Sequence, residues 1–423
     1  MLGNASTKKI LLVTTLLTPL WLAKPSQAVN PEHLATLLET KICPKCDLRE
    51  ANLSQAQLEG ADLEGADLTG ANLSGANLLR ANLNRAQLQG AQLVFANLEQ
   101  ANLREAQLGI PEADDNDKVI PANLDSANLQ GADLYAAQLN GVSFNRTNFQ
   151  QATLDYASLI DAELVKANLD KAYLVGANLN FANLQQAQLN NTSLSGASLN
   201  GANLSSVNLN FANLTGANLN NTDMSGASCL DSNFSNAILK EANLASAILE
   251  AANFYGADLS QANLSEATLR NAGLNRANLS RANLQAADLK NAKLAVANLA
   301  DADLTGANLQ FAYLYGSIFV NSNLSGTYLR QANLNSANLN GSSLVGANLD
   351  GASLIDTQLV GANLTYTNLT KTDFRQANLR DANLSYANLS ATDFHRAVLF
   401  GVNLTGAQLT DVDFKGAIGL ERG

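Results

Sequence analysis

Large rings and reactive side chains are what this chain has least of. Trp21 is the only tryptophan, aromatic residues make up 5% of the sequence, and there are two histidines and three cysteines. A conventional globular interior of interlocking rings is excluded, so any core must be built from small repeated pieces. Two histidines, no glycine-rich phosphate loop after a strand, and no serine or cysteine nucleophile in a recognisable setting leave little for acid–base or covalent catalysis. The expectation is a protein without enzymatic activity and without a cofactor.

Positive charge is also in deficit. The chain has 26 Lys and Arg against 37 Asp and Glu, a formal charge of -11. The first 28 residues hold Lys8, Lys9 and Lys24 and no acid, so without them the charge falls to about -14. Such a surface repels nucleic-acid phosphates and the anionic face of a membrane.

Long hydrophobic runs are missing as well. The one short run, Ile10 to Leu22, follows the basic pair Lys8 and Lys9 and precedes Ser26-Gln27-Ala28. That order reads as an export signal over residues 1–28, with the mature chain beginning at Val29. The alternative, a membrane anchor, is disfavoured because Thr14, Thr15, Thr18 and Pro19 interrupt a run already short for a span. No cysteine follows it closely enough to suggest a lipoprotein, and no twin arginine precedes it; with the signal removed, no membrane span is expected.

What is present is a period. From Leu48 to Leu108 an apolar residue recurs every five positions through about 13 repeats, and from Leu124 to Phe414 through about 59 more, a spacing that fits neither strand nor helix. The residue is leucine or phenylalanine except at Met224 and Cys229. Two positions earlier stands a small residue, as in Ala61-Asp62-Leu63 and Ala71-Asn72-Leu73. Each pentad thus offers two inward side chains and three polar positions. One pentad buries too little to fold alone, so stability must come from stacking.

The pattern resembles the pentapeptide-repeat family, with repeats of the form A(D/N)LXX, over roughly residues 46 to 418. The resemblance implies an all-β, right-handed quadrilateral β-helix with four pentads to a coil and with the central and small residues inside. The sequence adds its own sign of four sides: Phe234, Phe254, Phe374, Phe394 and Phe414 share a phase of 20 residues, whereas Phe144, Phe149 and Phe319 do not. About 18 coils at a strand spacing of about 4.8 Å give a rod on the order of 85 Å long.

The resulting division is a signal (1–28), a helical cap (29–45), a first repeat block (46–108), an acidic loop (109–121), a second block (122–418) and a tail (419–423). Asn30 and Pro31 mark a helix start, with Leu34, Leu37 and Leu38 placed to cover the first coil. At the other end nothing comparable follows Ala417. The edge beside Phe414 is therefore either a homodimer contact, as the family sometimes uses, or a frayed turn protected by Glu421 and Arg422.

Cys43-Pro44-Lys45-Cys46 can mean a redox pair, half a zinc site or a disulfide. Zinc needs two more ligands, and only His33, His395 and Cys229 are left to supply them. In register with the pentads Cys43 is a central residue and Cys46 a small one, so both face inward, and an oxidising destination favours a structural disulfide. Cys229 reads as a buried small hydrophobe. The break at 109–121 carries Asp114, Asp115 and Asp117 between two prolines. These acids invite a calcium reading, but the run lacks EF-hand spacing, and a solvated loop that contacts a partner is preferred.

Outside the rod, Arg146 and Lys166, Arg270 and Lys290, and Tyr366 and Tyr386 are each 20 residues apart. The charged pairs read as solubilising surface. The tyrosine pair, with His395 and Arg396 near it in sequence, is a candidate patch. The expected function is a non-catalytic extracytoplasmic scaffold, in a periplasm or thylakoid lumen, with an unidentified protein partner. The alternative is an acidic mimic of DNA on a type II topoisomerase, as some family members are.

Overall fold

The computed structural model describes residues 29–111 and 119–420. The signal reading over 1–28 and the acids Asp114, Asp115 and Asp117 lie outside the described residues.

The local rule is visible in the pentad Ala71-Asn72-Leu73-Ser74-Gly75, where every amide finds an acceptor. Ala71 N–H closes a turn onto the Leu68 carbonyl at 2.9 Å, and Asn72 N–H reaches the Ala51 carbonyl of the preceding coil at 2.9 Å. Leu73 and Gly75 N–H donate to the Gln92 and Val94 carbonyls of the following coil at 2.7 and 2.9 Å. The fifth amide, on Ser74, donates to the side-chain oxygen of Asn72 at 3.1 Å. That last bond is why asparagine or aspartate precedes the central residue: its carboxamide or carboxylate satisfies the one amide the ladder cannot reach.

Parallel bridges accordingly join each residue to its equivalent 20 positions on, Asn52 to Asn72 and Asn203 to Asp223 among them. Four pentads make one coil, and its four faces are numbered here from the coil 122–141, centred on Leu124, Leu129, Leu134 and Leu139. The third position of each turn has positive φ throughout the repeats, as in a type II turn. Glycine suits that position, yet many pentads place a side chain there. Gly201 shows one use of glycine: a Cβ on it would lie 2.7 Å from the ring of Phe181, which leans over it from the coil before.

The interior is a stack of Leu, Phe and Ala with almost no exposed area, each buried leucine contributing roughly 1.5–3 kcal/mol. The phenylalanine columns form as the 20-residue phase predicts. Phe234 and Phe254 stack at 4.8 Å, Phe374 and Phe394 at 5.2 Å, and Phe394 and Phe414 at 5.4 Å, all nearly parallel. Phe144 and Phe149, on adjacent faces, meet edge to face at 5.0 Å. Where serine or threonine replaces the inner alanine its hydroxyl turns back to a backbone carbonyl, Thr192 to Leu169 at 2.9 Å and Ser322 to Phe319 at 2.8 Å. No buried polar side-chain atom among the described residues lacks a partner.

One helix, α1 (Pro31–Thr40), covers the first coil. Asn30 caps it by accepting from the amides of Glu32 and His33, and Leu37 is fully buried against the core. The cap ends earlier than the sequence division at residue 45. Ile42 already bridges to Asp62, because the pentad centred on Cys43 obeys the repeat despite its cysteine. The loop, by contrast, leaves the bridges between coils continuous, and of the ladder amides beside it only that of Gly90 has no backbone acceptor among the described residues. Ala122 N–H closes onto the Leu108 carbonyl at 2.8 Å, and pairing resumes with a 31-residue offset, Gln92 to Asn123. Gly109 is required there, since a Cβ would lie 2.2 Å from the Asn140 nitrogen.

Val296 sits at φ 58 with its side chain exposed. A β-branched residue is strained in this region. Replacing it with asparagine, which tolerates the conformation, is expected to stabilise the rod by about 1 kcal/mol, measured as a rise in the denaturant midpoint with unchanged slope.

Candidate functional site

Five surface features can be built from the residues upward. The first is the junction of cap and coil. Amides of the first coil that would otherwise have no preceding coil to pair with are received by helix side chains: Ile42 N–H by the Thr40 hydroxyl at 3.1 Å and Asp47 N–H by His33 Nδ1 at 2.9 Å. His33 is therefore a structural acceptor in this arrangement. Cys43 and Cys46 are both buried and joined as a disulfide, with Cα atoms 5.4 Å apart. Beside them Arg49 grips Asp47 at 2.6 Å, and its hydrogen bond holds the Asp47 carboxyl down at about 2. Cys229 is fully buried, and burial pushes its thiol up to about 12, so it is not a nucleophile.

The second is the base of the loop. Pro111, Val119 and Ile120 stand over Gly70, Gln89 and Gly90 of the fourth face and enclose a groove of about 410 Å³. On the other flank Ile110 and Pro111 meet Asn140, Gly141, Ile160 and Asp161 around about 440 Å³. Asn140 pins this base, donating to the Ile110 carbonyl at 3.1 Å and accepting from the Ser158 hydroxyl at 2.7 Å. Among the described residues no group of His, Cys, Asp and Glu is placed to hold a metal ion.

The third is the patch expected around Tyr366 and Tyr386. The two rings do stack, 5.1 Å apart, at the corner following the first face. His395 and Arg396 are not with them. They follow Phe394 on the third face, which puts them at the diagonally opposite corner. Nearness in sequence misleads here because two pentads carry the chain halfway round the coil. The fourth feature is the C-terminal edge: Phe414 is half-buried, Leu409 is 46% exposed, and the amides of Leu404, Leu409 and Phe414 have no backbone acceptor among the described residues.

The fifth feature emerges only when positions are sorted by the 20-residue coil. Six of the nine tyrosines, Tyr135, Tyr156, Tyr173, Tyr255, Tyr313 and Tyr315, lie on the third face or its corner. The period of five hides this, since tyrosines on the first, second and third faces occupy the same pentad positions.

Charge is arranged locally. Arg85 meets Glu105 at 2.8 Å, Arg270 meets Asp288 at 2.6 Å, and Arg330 meets Asp350 at 3.3 Å. Each pair joins adjacent coils. Exposed pairs of this kind add little stability, but they interrupt any continuous stripe of acid. Arg146 and Lys166 flank a groove with Asp125 and Glu163, and Arg270 is engaged by Asp288.

Comparison with known proteins bears on this architecture. The family model described as "Pentapeptide repeats (8 copies)" matches successive overlapping segments that together span residues 46–109 and 122–416. Among solved structures, the chain is similar to HetL, a pentapeptide repeat protein involved in heterocyst differentiation regulation from the cyanobacterium Nostoc sp. Strain PCC 7120. The identity is 36% over 51% of this chain and 88% of that one, with a TM-score of 0.33. A pentapeptide repeat protein from the Arabidopsis thaliana thylakoid lumen is 30% identical over 25% of this chain and 70% of that one, TM-score 0.17. Full-length QnrB1, a plasmid-mediated fluoroquinolone resistance protein, is 19% identical over 43% of this chain and 90% of that one, TM-score 0.20. No curated protein matches. The chain belongs to the pentapeptide-repeat family, whose fold is a right-handed quadrilateral β-helix and whose members are generally non-enzymatic structural and interaction proteins.

Proposed function

We propose that this protein is a rigid, non-catalytic scaffold that works outside the cytoplasm and presents its faces and its loop to protein partners. The observation that carries the reading is the buried Cys43–Cys46 disulfide at the cap, a bond that persists in oxidising compartments, together with the signal-like order of residues 1–28. Fixed faces lose little conformational freedom on binding, and the loop base adds concave ground to an otherwise flat rod. The same reading makes the C-terminal edge a homodimer contact, because unpaired strand edges and half-exposed core side chains seek a copy of themselves.

A second reading, an acidic DNA mimic on a type II topoisomerase, draws on the net charge of -11. The coil-to-coil ion pairs weaken it, since mimicry needs unbroken acid.

Three outcomes are expected. Protein made from the full chain in its native host, denatured without reductant, should show one alkylatable thiol, Cys229, and three after reduction; three before reduction would place it in a reducing compartment. Light scattering should give a dimer that Phe414→Asp converts to monomer without loss of β circular dichroism. Supercoiling by a type II topoisomerase should be unaffected by micromolar protein, and inhibition would favour the mimic.

A further inference from the structure

The third face carries more than an excess of tyrosine. Bridges run Thr153, Tyr173, Ser193, Asn213, Asn233, Asn253 up one column of it. Two coils, 182–221, are uncharged on every face, and the third face prolongs that neutrality by one coil before them and two after. Its three outward positions per coil from 173 to 256 hold only Tyr, Val, Gly, Ser, Thr and Asn. Tyrosines bracket this strip. Tyr156 and Tyr173 stand at one end, 59% and 52% exposed, and Tyr255 at the other, 43% exposed. Four coils separate Tyr173 from Tyr255, about 19 Å at the strand spacing.

Two of the three rings are held in place. Tyr156 lies over Gly176, where a Cβ would come within 2.8 Å of it, and Arg276 sits over Tyr255 on the side away from the strip at 5.9 Å. Between them the polar groups are braced: Thr215 donates to the Asn213 side chain at 2.6 Å, and Asn233 donates to Thr215 at 3.0 Å. The Ser193 hydroxyl and the Asn213 side-chain nitrogen have no protein partner among the described residues. The strip is thus a straight, neutral, preorganised platform, with ring faces at its ends and hydrogen-bonding groups along its floor.

Charge decides against most partners. Nucleic acid, acidic peptides and anionic polymers gain nothing on an uncharged strip. A protein interface wants an apolar centre with anchor residues in pockets, whereas the centre here is Gly196, Gly216 and small hydroxyl residues. An extended sugar polymer meets every term. Its C–H faces stack on rings, its hydroxyls bond to amide and hydroxyl groups, and one ring is about as long as one coil is tall. We propose that the third face binds an uncharged polysaccharide strand lying along the rod axis, with Tyr173 and Tyr255 as its stacking platforms. This goes beyond the scaffold reading and does not depend on it.

The test is affinity electrophoresis of the protein in native gels containing mixed-linkage β-glucan, hydroxyethylcellulose or alginate. Retardation is expected in the neutral gels and absent in alginate. Replacing both tyrosines, Tyr173→Ala with Tyr255→Ala, should weaken binding about tenfold, the worth of two ring contacts. The paired change to phenylalanine should keep binding, as should Tyr328→Ala on the second face. Unaltered mobility in every neutral gel overturns the proposal, as does retardation that survives the double alanine change in a variant with the wild-type melting temperature. Protection of Tyr173 and Tyr255 from iodination by a protein of the native extract, with none by the glucans, overturns it in favour of a protein interface.

Discussion

Every amide in the rod must find an acceptor, and the repeat is the shortest chain unit that meets this demand while filling its own core. The ladder to neighbouring coils takes three amides, the turn takes a fourth, and the side chain before the central residue takes the fifth. Alanine and leucine inside, asparagine outside and a left-handed residue at the corner are therefore parts of one solution. A change at one position is felt through the bond it leaves unmet. At several positions where serine, tyrosine or isoleucine stands in place of the asparagine, an asparagine or aspartate on the coil before reaches across: Asn180 receives Asn200 N–H at 2.9 Å, Asp155 receives Val175 N–H at 2.7 Å, and Asn220 receives Lys240 N–H at 3.1 Å.

This compensation marks where sequence reading stops. The period, the inward residues, the stacked phenylalanines and the inward cysteine pair are legible because they depend on spacing alone. Asn180 and Asn220 look like ordinary polar filler, since their partners lie 20 residues on and are backbone groups. His33 and Thr40 are likewise opaque: as letters they are a metal-ligand candidate and a helix residue, yet both receive edge amides of the first coil. The early end of the cap is different: the register that makes Cys43 a central residue already puts Ile42 in the ladder, ahead of the division drawn at residue 45. Of the candidate surfaces, the tyrosine stack at 366 and 386 was readable from the phase, but the distance of His395 and Arg396 from it was not, because proximity around a coil runs against proximity along the chain.

The two ends of the rod answer the same demand differently. At the start, α1 supplies both apolar cover and acceptors. At the finish, Leu404, Leu409 and Phe414 present donors and half-buried side chains together. A stacked fold leaves its ladder unpaired at its ends, so the chemistry of the ends differs from that of the faces.

The phenylalanine columns have a role beyond filling space. Coils this alike are nearly interchangeable, and a chain of interchangeable coils can close one pentad or one coil out of step at small cost. Phe374, Phe394 and Phe414 stack only when their three coils are consecutive and share one face; a slip of a single pentad between them puts the rings on different faces and breaks the stack. Three rings near the end of a long monotonous chain thus act as a key, letting the last coils find the one alignment in which the count comes out right.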